Sequence, residues 1–146
     1  MKVNIVFPVL DEERRLEKGI HTTEAFLAKR RDIDAVITIV DNGSTDRTPD
    51  IIKELADVYS NIEYITLGER GFGLAFREAA KRNRCDIIGY VDVDLSTDIH
   101  YLSKVMKAFE KYDDISVIKG NRLSGKSKVN GRKPLRNITS IGLVCL

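Results

Sequence analysis

The stretch Gly89-Tyr90-Val91-Asp92-Val93-Asp94-Leu95-Ser96-Thr97-Asp98 closes an apolar run that has the length and composition of a buried β-strand. If the strand continues through these residues, Asp92 and Asp94 point to the same face, because successive strand side chains alternate. At a separation of roughly 6–7 Å and an effective dielectric constant of about 20, their repulsion costs about 2–3 kcal/mol. A hard divalent cation, Mg²⁺ or Mn²⁺, would turn this repulsion into coordination. The pattern therefore predicts a metal site at Asp92 and Asp94, with a helix cap beside a solvated carboxylate as the alternative.

Apolar runs of strand length recur along the chain and are separated by amphipathic helical patterns. The runs are Val3–Phe7, Ala35–Val40, Ile62–Leu67, Ile87–Val91 and Ile115–Ile118. Apolar stripes at helical spacing begin at Ile52, Phe72 and Leu102. Thr48 followed by Pro49 predicts an N-cap and a first-turn proline for the second helix, and Thr97 or Asp98 can cap the fourth. Continuous apolar strands that alternate with helices predict an α/β fold, with a mostly parallel sheet and helices on both faces.

Polar residues follow the predicted strands. In open parallel sheets, ligands bind beyond the carboxyl ends of the strands, so these residues are the candidates for a binding site. They lie in Pro8–Glu12, Asp41–Asp46, Gly68–Gly73 and Asp92–Asp94. A single acid at such a position is commonly a helix cap, and this alternative stays open for Asp46 and Asp98.

Length and composition predict one ordinary domain with its own core. The chain has 146 residues, of which 42% are hydrophobic. No apolar stretch reaches the roughly 20 residues that span a bilayer, and Met1–Phe7 runs directly into a strand pattern, so we expect a cytoplasmic protein. Cys85 and Cys145 lie far apart without ligand spacing, which indicates neither a disulfide framework nor a zinc site.

Charge divides the chain into two regions. None of the 22 Asp and Glu residues follows Asp114, whereas seven of the 24 Lys and Arg residues do. We therefore predict an α/β core over residues 1–118, followed within the same domain by a basic flexible loop and an apolar C-terminal helix over residues 119–146. The basic segment could meet phosphates or an anionic membrane, or be a solvated loop. A nucleic-acid partner is not expected, because the segment lacks interleaved aromatic residues and the core is acidic.

Three motifs, in order, resemble those of the family 2 glycosyltransferases, which have the Rossmann-like GT-A fold. Phe7–Glu13 (FPVLDEE) is similar to the family's Pro-x-x-Asn-Glu-Glu, Val40–Thr48 (VDNGSTDRT) to Val-Asp-Asp-Gly-Ser-x-Asp-x-Thr, and Asp92–Ser96 (DVDLS) to Asp-Ala-Asp-Leu-Ser. Gly71–Ala75 and Gly120–Arg122 further resemble the polyprenyl-phosphate branch, which includes dolichyl-phosphate mannose and glucose synthases. The departures are Asp11 for Asn, Asn42 for the second Asp, and Ile99-His100 where a proline is frequent.

The resemblance implies roles for individual residues. Asp41 would accept hydrogen bonds from the base, Asp92 would lie near the ribose or diphosphate, and Asp94 would be the principal metal ligand. Arg122 and Arg136 would clamp phosphates, so the implied catalytic residues are Asp92, Asp94, Arg122 and Arg136. The implied nucleotide-binding residues are Pro8, Val9, Leu10, Glu12, Asp41, Asn42, Gly71, Gly73, Asp92 and Val93.

The implied activity is inverting, metal-dependent transfer of a sugar from a GDP- or UDP-linked donor to a polyprenyl phosphate at a membrane surface. Family members continue beyond Leu146, so a truncated catalytic domain is expected. The apolar run Ile138–Leu146 would be covered by self-association, lie at a membrane interface or be left exposed as an apolar patch. One alternative is a non-catalytic nucleotide-sugar-binding fragment. Another is a sugar hydroxyl acceptor, for which only Asp113 and Asp114 are available as a later base. A sugar nucleotidyltransferase is disfavoured, because Pro8–Glu12 is not a Gly-rich basic loop.

Overall fold

The computed structural model of the chain describes residues 1–120, apart from the side chain of Phe72. Within this range, strands and helices alternate, as the apolar runs predict. The strands are β1 (Lys2–Val9), β2 (Asp34–Asp41), β3 (Ile62–Thr66) and β4 (Ile87–Tyr90). The helices are α1 (Leu16–Ala28), α2 (Thr48–Val58), α3 (Phe72–Arg82) and α4 (Leu102–Lys111), and a 3₁₀ turn at Ile99–Tyr101 precedes α4.

The four strands form one parallel sheet in the order β3-β2-β1-β4. The central strand β1 pairs with β2 on one side, where Val3 lies opposite Ala35, and with β4 on the other, where Val3 lies opposite Ile87. The chain thus builds outward from β1 to β3 and then crosses to the opposite side of β1 for β4. This order confirms the predicted parallel sheet and creates a switch point between β1 and β4.

Helices cover both faces of the sheet. Val6, Val40 and Ile65 form a buried cluster with Ala75 and Ala79 of α3. Strand side chains alternate, so the neighbouring buried residues of β1 and β2 face the side of α1 and α2, which contact each other. Those residues are Ile5, Phe7, Ile37 and Ile39. A doubly covered parallel sheet explains why the strands read as continuous apolar runs rather than as alternating patterns.

The predicted fifth strand, Ile115–Ile118, is wrong. These residues have no regular secondary structure, and Val117 is 82% exposed. A run of four apolar residues is too short to distinguish a strand from other structure, and a strand forms only where a neighbouring backbone completes its hydrogen bonds. None of the strands within residues 1–120 provides that pairing for Ile115–Ile118.

The chain comprises two compact units, residues 1–102 and residues 103–146. The first unit contains the whole four-stranded sheet, and nearly all of α4 belongs to the second. The predicted loop and C-terminal helix of residues 119–146 lie, apart from Lys119 and Gly120, outside the described residues. Among the helices that the structure describes, none combines the length and apolar character needed to cross a membrane.

Candidate active site at the carboxyl edge of the sheet

The loops that follow β1 and β2 are joined by reciprocal hydrogen bonds through Asp11. The Asp11 N–H donates to Ser44 Oγ (2.9 Å), and Asp11 Oδ1 accepts from the Thr45 N–H (2.7 Å) and the Thr45 hydroxyl (3.3 Å). Asp11 has a φ of +52°, in the left-handed region that Asp and Asn tolerate better than other side chains do. The residue that departs from the family motif therefore closes two loops against each other.

Three further hydrogen bonds extend this connection toward α2. The Glu12 N–H donates to Thr48 Oγ1 (2.8 Å), the Glu13 N–H to Asp46 Oδ2 (3.1 Å), and the Arg47 N–H to Glu13 Oε2 (3.2 Å). Together with the bonds of Asp11, they form what we call the loop lock, made by Asp11–Glu13 and Ser44–Thr48. The loop lock satisfies backbone donors in two loops that have no ladder partners, so it holds the carboxyl ends of β1 and β2 in one arrangement.

Asp46 makes a side-chain hydrogen bond just before α2 begins, and the predicted N-cap at Thr48 is wrong. Thr48 was predicted as the N-cap, but it is the first helical residue, and its hydroxyl accepts from Glu12. Asp46 Oδ1 instead accepts the Thr48 N–H at 2.9 Å. Burial opposes ionisation of Asp46, yet hydrogen bonds from Thr48 and from the Glu13 and Asp46 backbone outweigh it and hold the carboxyl pKa below its ordinary value. The N-cap itself is Arg47, which has no side-chain cap, so Asp46 accepts from the backbone one residue before the cap rather than as the N-cap.

Asp41 and Asn42 lie where β2 ends and are almost completely buried. Asp41 is 2% exposed, and its Oδ1 accepts from the Ser44 N–H (2.9 Å), which shapes the turn at Gly43. Asn42 is 6% exposed, donates its N–H to the Val9 carbonyl, and accepts from the Gly71 N–H at 3.4 Å. Asn42 therefore links the loop after β2 to the loop before α3. The base-reading role of Asp41 stays a prediction.

The remaining predicted nucleotide residues differ in exposure. Pro8 and Glu12 are half-buried, Val9 is buried and Leu10 is exposed at the end of β1. Gly71 precedes α3 and is half-buried, whereas Gly73 lies exposed in its first turn. Beside them, the Arg70 guanidinium lies 4.0 Å from Asp11 Oδ2. Arg70 therefore adds a positively charged side chain to this edge, which the motifs did not indicate. Its signal in the sequence is weak, because one arginine in a loop is usually only a solvated side chain.

Asp92 and Asp94 lie in a turn rather than on a strand, so the strand-alternation argument for them is wrong. β4 ends at Tyr90, and the Leu95 N–H closes a turn on the Asp92 carbonyl at 2.9 Å. Leu95 has a φ of +50°, which is uncommon for a branched residue. Asp94 Oδ1 accepts from the Ser96 N–H at 2.9 Å. The strand stops here because turn hydrogen bonds replace the ladder after Val91, whose N–H donates to the Val6 carbonyl.

The two acids supply the carboxylate oxygens that a hard divalent cation prefers. Asp92 is half-buried and Asp94 is exposed, while Val93 between them is buried. No group of three or more His, Cys, Asp or Glu side chains within residues 1–120 could hold a metal alone. Mg²⁺ commonly uses one or two carboxylates and takes its other ligands from water and substrate phosphates. Two carboxylates in one turn are a donor set of the size that such a cation takes from a protein.

Asp98 caps the 3₁₀ turn before α4. Its Oδ1 accepts from the His100 N–H at 2.9 Å and lies 2.7 Å from His100 Nδ1. The predicted cap at Asp98 is confirmed, so this acid serves the local backbone. Arg122 and Arg136 lie outside the described residues, as does the run Ile138–Leu146. The phosphate clamp and the self-association of that run stay predictions.

The family of the chain follows from comparison with known proteins. The model described as "Glycosyl transferase family 2" matches residues 4–143. The chain belongs to glycosyl transferase family 2. Its sheet order and its three motifs agree with this membership, and its fold is the GT-A fold of that family.

Curated relatives carry polyprenyl-phosphate names. A dolichyl-phosphate beta-glucosyltransferase of Trichomonas vaginalis is 31% identical over 151 residues, covering 97% of this chain and 46% of that protein. An undecaprenyl-phosphate 4-deoxy-4-formamido-L-arabinose transferase of Pseudomonas fluorescens is 29% identical, covering 82% of this chain and 36% of that protein. The similarity confirms the resemblance to the polyprenyl-phosphate branch. The chain spans less than half the length of these relatives.

A solved structure with the same fold is a mannosyltransferase of Pyrobaculum calidifontis in complex with GDP-Man and Mn²⁺. The TM-score is 0.63 at 22% sequence identity, and the match covers 73% of this chain and 31% of that protein. At this identity the likeness concerns the fold.

Proposed function

We propose that the chain forms the donor side of a glycosyltransferase that moves a sugar, with inversion, from a GDP- or UDP-linked donor to a polyprenyl phosphate. The observation that carries this proposal is the carboxyl edge of the sheet. There the loop lock, Asn42 and the turn Asp92–Leu95 surround the switch point between β1 and β4. Doubly wound sheets bind nucleotides at such points. The names of the polyprenyl-phosphate relatives favour a lipid phosphate as acceptor.

In this proposal the donor's base and ribose lie against the ends of β1 and β2, and its diphosphate lies toward Asp92 and Asp94. The loop lock orders the nucleotide side before the donor arrives, which lowers the conformational cost of binding. Asp92 and Asp94 would hold Mg²⁺ or Mn²⁺, which supplies positive charge that stabilises the nucleoside diphosphate leaving group. The mannosyltransferase bound to GDP-Man and Mn²⁺ supports a divalent ion in this fold.

The proposed transfer is a single displacement. An oxygen of the acceptor phosphate attacks the anomeric carbon, a new carbon–oxygen bond forms, and the bond to the nucleoside diphosphate breaks with inversion. A phosphate is already ionised at neutral pH, so it needs no strong general base. The lipid nature of such an acceptor leads us to propose action at the cytoplasmic face of a membrane.

Radiolabelled transfer tests the proposal. The purified chain is incubated with GDP- and UDP-linked sugars, Mn²⁺ and a short polyprenyl phosphate, and lipid-linked sugar is counted. Binding of the same donors is measured in parallel by calorimetry, because the chain covers less than half of its relatives. Donor binding without transfer would indicate the binding fragment considered from the sequence, and absence of donor binding would contradict the proposed function.

A further inference from the structure

Gly19 lies inside helix α1, where glycine is unfavourable. Relative to alanine, a glycine in a helix interior costs about 1 kcal/mol, because its backbone loses more freedom on folding. Gly19 is buried, and the neighbouring core residues Leu16 and Ile20 are fully buried. No turn or cap occurs at this position, since α1 continues to Ala28. The reason for glycine must therefore be the space around it.

A β-carbon at Gly19 would collide with the turn that carries the two acids. An ideal Cβ there would overlap the Val93 carbonyl oxygen and lie 2.9 Å from Val93 Cγ2. Both distances fall inside van der Waals contact, and the first obstacle is backbone rather than the end of a flexible side chain. The backbone of α1 is thus in direct contact with Val93, which stands between Asp92 and Asp94 and is 4% exposed.

The turn itself contains local hydrogen bonds and a strained residue. Within the described residues, the Leu95 N–H bonds to the Asp92 carbonyl and the Ser96 N–H to Asp94 Oδ1, and both are local bonds. Leu95 adds strain rather than support, because its φ is positive. A strained conformation persists only where the surrounding structure holds it. The side of α1 at Gly19 is a rigid part of that structure, in direct contact with Val93.

We propose that Gly19 is a positioning residue for the metal-binding turn, an inference that rests on the proposed function. The absent side chain lets α1 support Val93 and thereby sets where Asp92 and Asp94 stand relative to the ends of β1 and β2. Clearance of carbon from oxygen requires about 3.3 Å, so a β-carbon at residue 19 would displace the turn by on the order of 1 Å. Displacements of this size, or loss of supporting contacts, reduce metal-dependent function by about 10- to 100-fold.

The experiment compares Gly19→Ala with Thr22→Ala. Both place alanine on α1, but Thr22 is exposed and its hydroxyl donates to the Lys18 carbonyl of the same helix. Calorimetry of GDP and UDP with and without MnCl₂ gives the affinity increment due to the metal. We expect the metal-dependent increase in affinity to be at least about tenfold smaller in Gly19→Ala than in wild type. The metal-free nucleotide affinity of Gly19→Ala should stay within about twofold of wild type, and Thr22→Ala should match wild type in both measurements.

If the wild-type chain shows no Mn²⁺-dependent increase in affinity, the proposed metal site is contradicted. Hydrogen exchange measured without metal still tests the inference about Gly19 in that case. The Leu95 and Ser96 amides report directly on the turn, since both donate within it. They should exchange faster in Gly19→Ala than in Thr22→Ala. Unchanged exchange in Gly19→Ala, or an Mn²⁺ increment equal to wild type, would overturn the inference.

Val93→Ala provides a second route if Gly19→Ala does not fold. It removes the Cγ2 contact with α1 without adding atoms. The two turn amides should again exchange faster, and the Mn²⁺ increment should fall in the same direction. A Val93→Ala protein with wild-type exchange and a wild-type increment would show that packing of the Val93 side chain on α1 does not position the turn.

Discussion

The two halves of the candidate site are held by different forces. The loops after β1 and β2 are joined by side-chain hydrogen bonds to backbone donors across 33 to 36 residues of sequence. The turn after β4 contains two local hydrogen bonds, and Val93 within it packs against Gly19. A hydrogen bond restricts both the distance and the direction between donor and acceptor, whereas packing depends on the shape of the neighbouring surface. We therefore expect small changes in the core to disturb the turn that carries Asp92 and Asp94 more than the loops after β1 and β2.

The largest expected effect is a loss of metal-dependent nucleotide affinity when the turn after β4 is changed. Asp94→Asn should reduce the Mn²⁺-dependent increment in GDP or UDP affinity by about 100-fold, since a neutral amide is a poor ligand for a hard cation. Metal-free affinity and the melting temperature should stay near wild type. Asp57→Asn, an exposed change on α2, is the matched control. Calorimetry that finds the full increment in Asp94→Asn would remove Asp94 from the metal site.

Breaking the loop lock should lower the stability and the metal-free nucleotide affinity rather than the metal-dependent increment. Asp11→Ala loses the acceptor for Thr45 and places alanine at a φ of +52°, so the free energy of unfolding should fall by about 2 kcal/mol. Metal-free nucleotide affinity should fall with it, while the Mn²⁺ increment is retained.

Asp11→Asn is the matched control for the loop lock. Asparagine keeps an Oδ1 acceptor and tolerates a positive φ, and the 4.0 Å pair with Arg70 is exposed. Its unfolding free energy should lie within about 0.5 kcal/mol of wild type. Chemical denaturation that shows equal losses in both variants would mean that charge, rather than the hydrogen bonds to Thr45, holds the loops.

A smaller effect tests backbone strain in the turn after β4. Leu95→Gly should be more stable than Leu95→Ala by about 1 kcal/mol, because glycine adopts a φ of +50° without steric cost. Both variants lose the same leucine side chain, so their difference isolates the backbone. If thermal unfolding ranks Leu95→Ala equal to or above Leu95→Gly, the turn is not strained.

The smallest effect is the pH dependence of the loop lock. The pKa of Asp46 is lowered in the folded protein, so its ionised form contributes stability above the ordinary carboxyl pKa, 3.8. This contribution is lost as the pH falls through the lower folded value. Wild type should exceed Asp46→Asn in stability near neutral pH, and the gap should narrow below about pH 4. A gap that stays constant down to about pH 2 would contradict the lowered pKa.

Much of the fold follows from local patterns. Val3–Phe7, Ala35–Val40, Ile62–Leu67 and Ile87–Val91 each lie largely in a strand, and the stripes beginning at Ile52, Phe72 and Leu102 lie in helices. These patterns succeed because a doubly covered sheet requires long apolar runs. The strand prediction for Ile115–Ile118 was wrong because a short apolar run also occurs in irregular segments, and it becomes a strand only where a neighbouring strand pairs with it.

By itself the sequence determined the alternation of strands and helices, the parallel sheet, the membership of glycosyl transferase family 2 and the edge at which polar residues gather. The tertiary structure alone decided the strand order, the loop lock through Asp11, the turn geometry of Asp92 and Asp94, and the contact between Gly19 and Val93. The physical reason is the separation of the interacting residues along the sequence. Hydrophobic periodicity indicates the local element to which a residue belongs, whereas Gly19 and Val93 come into contact only after the helix and the sheet have packed.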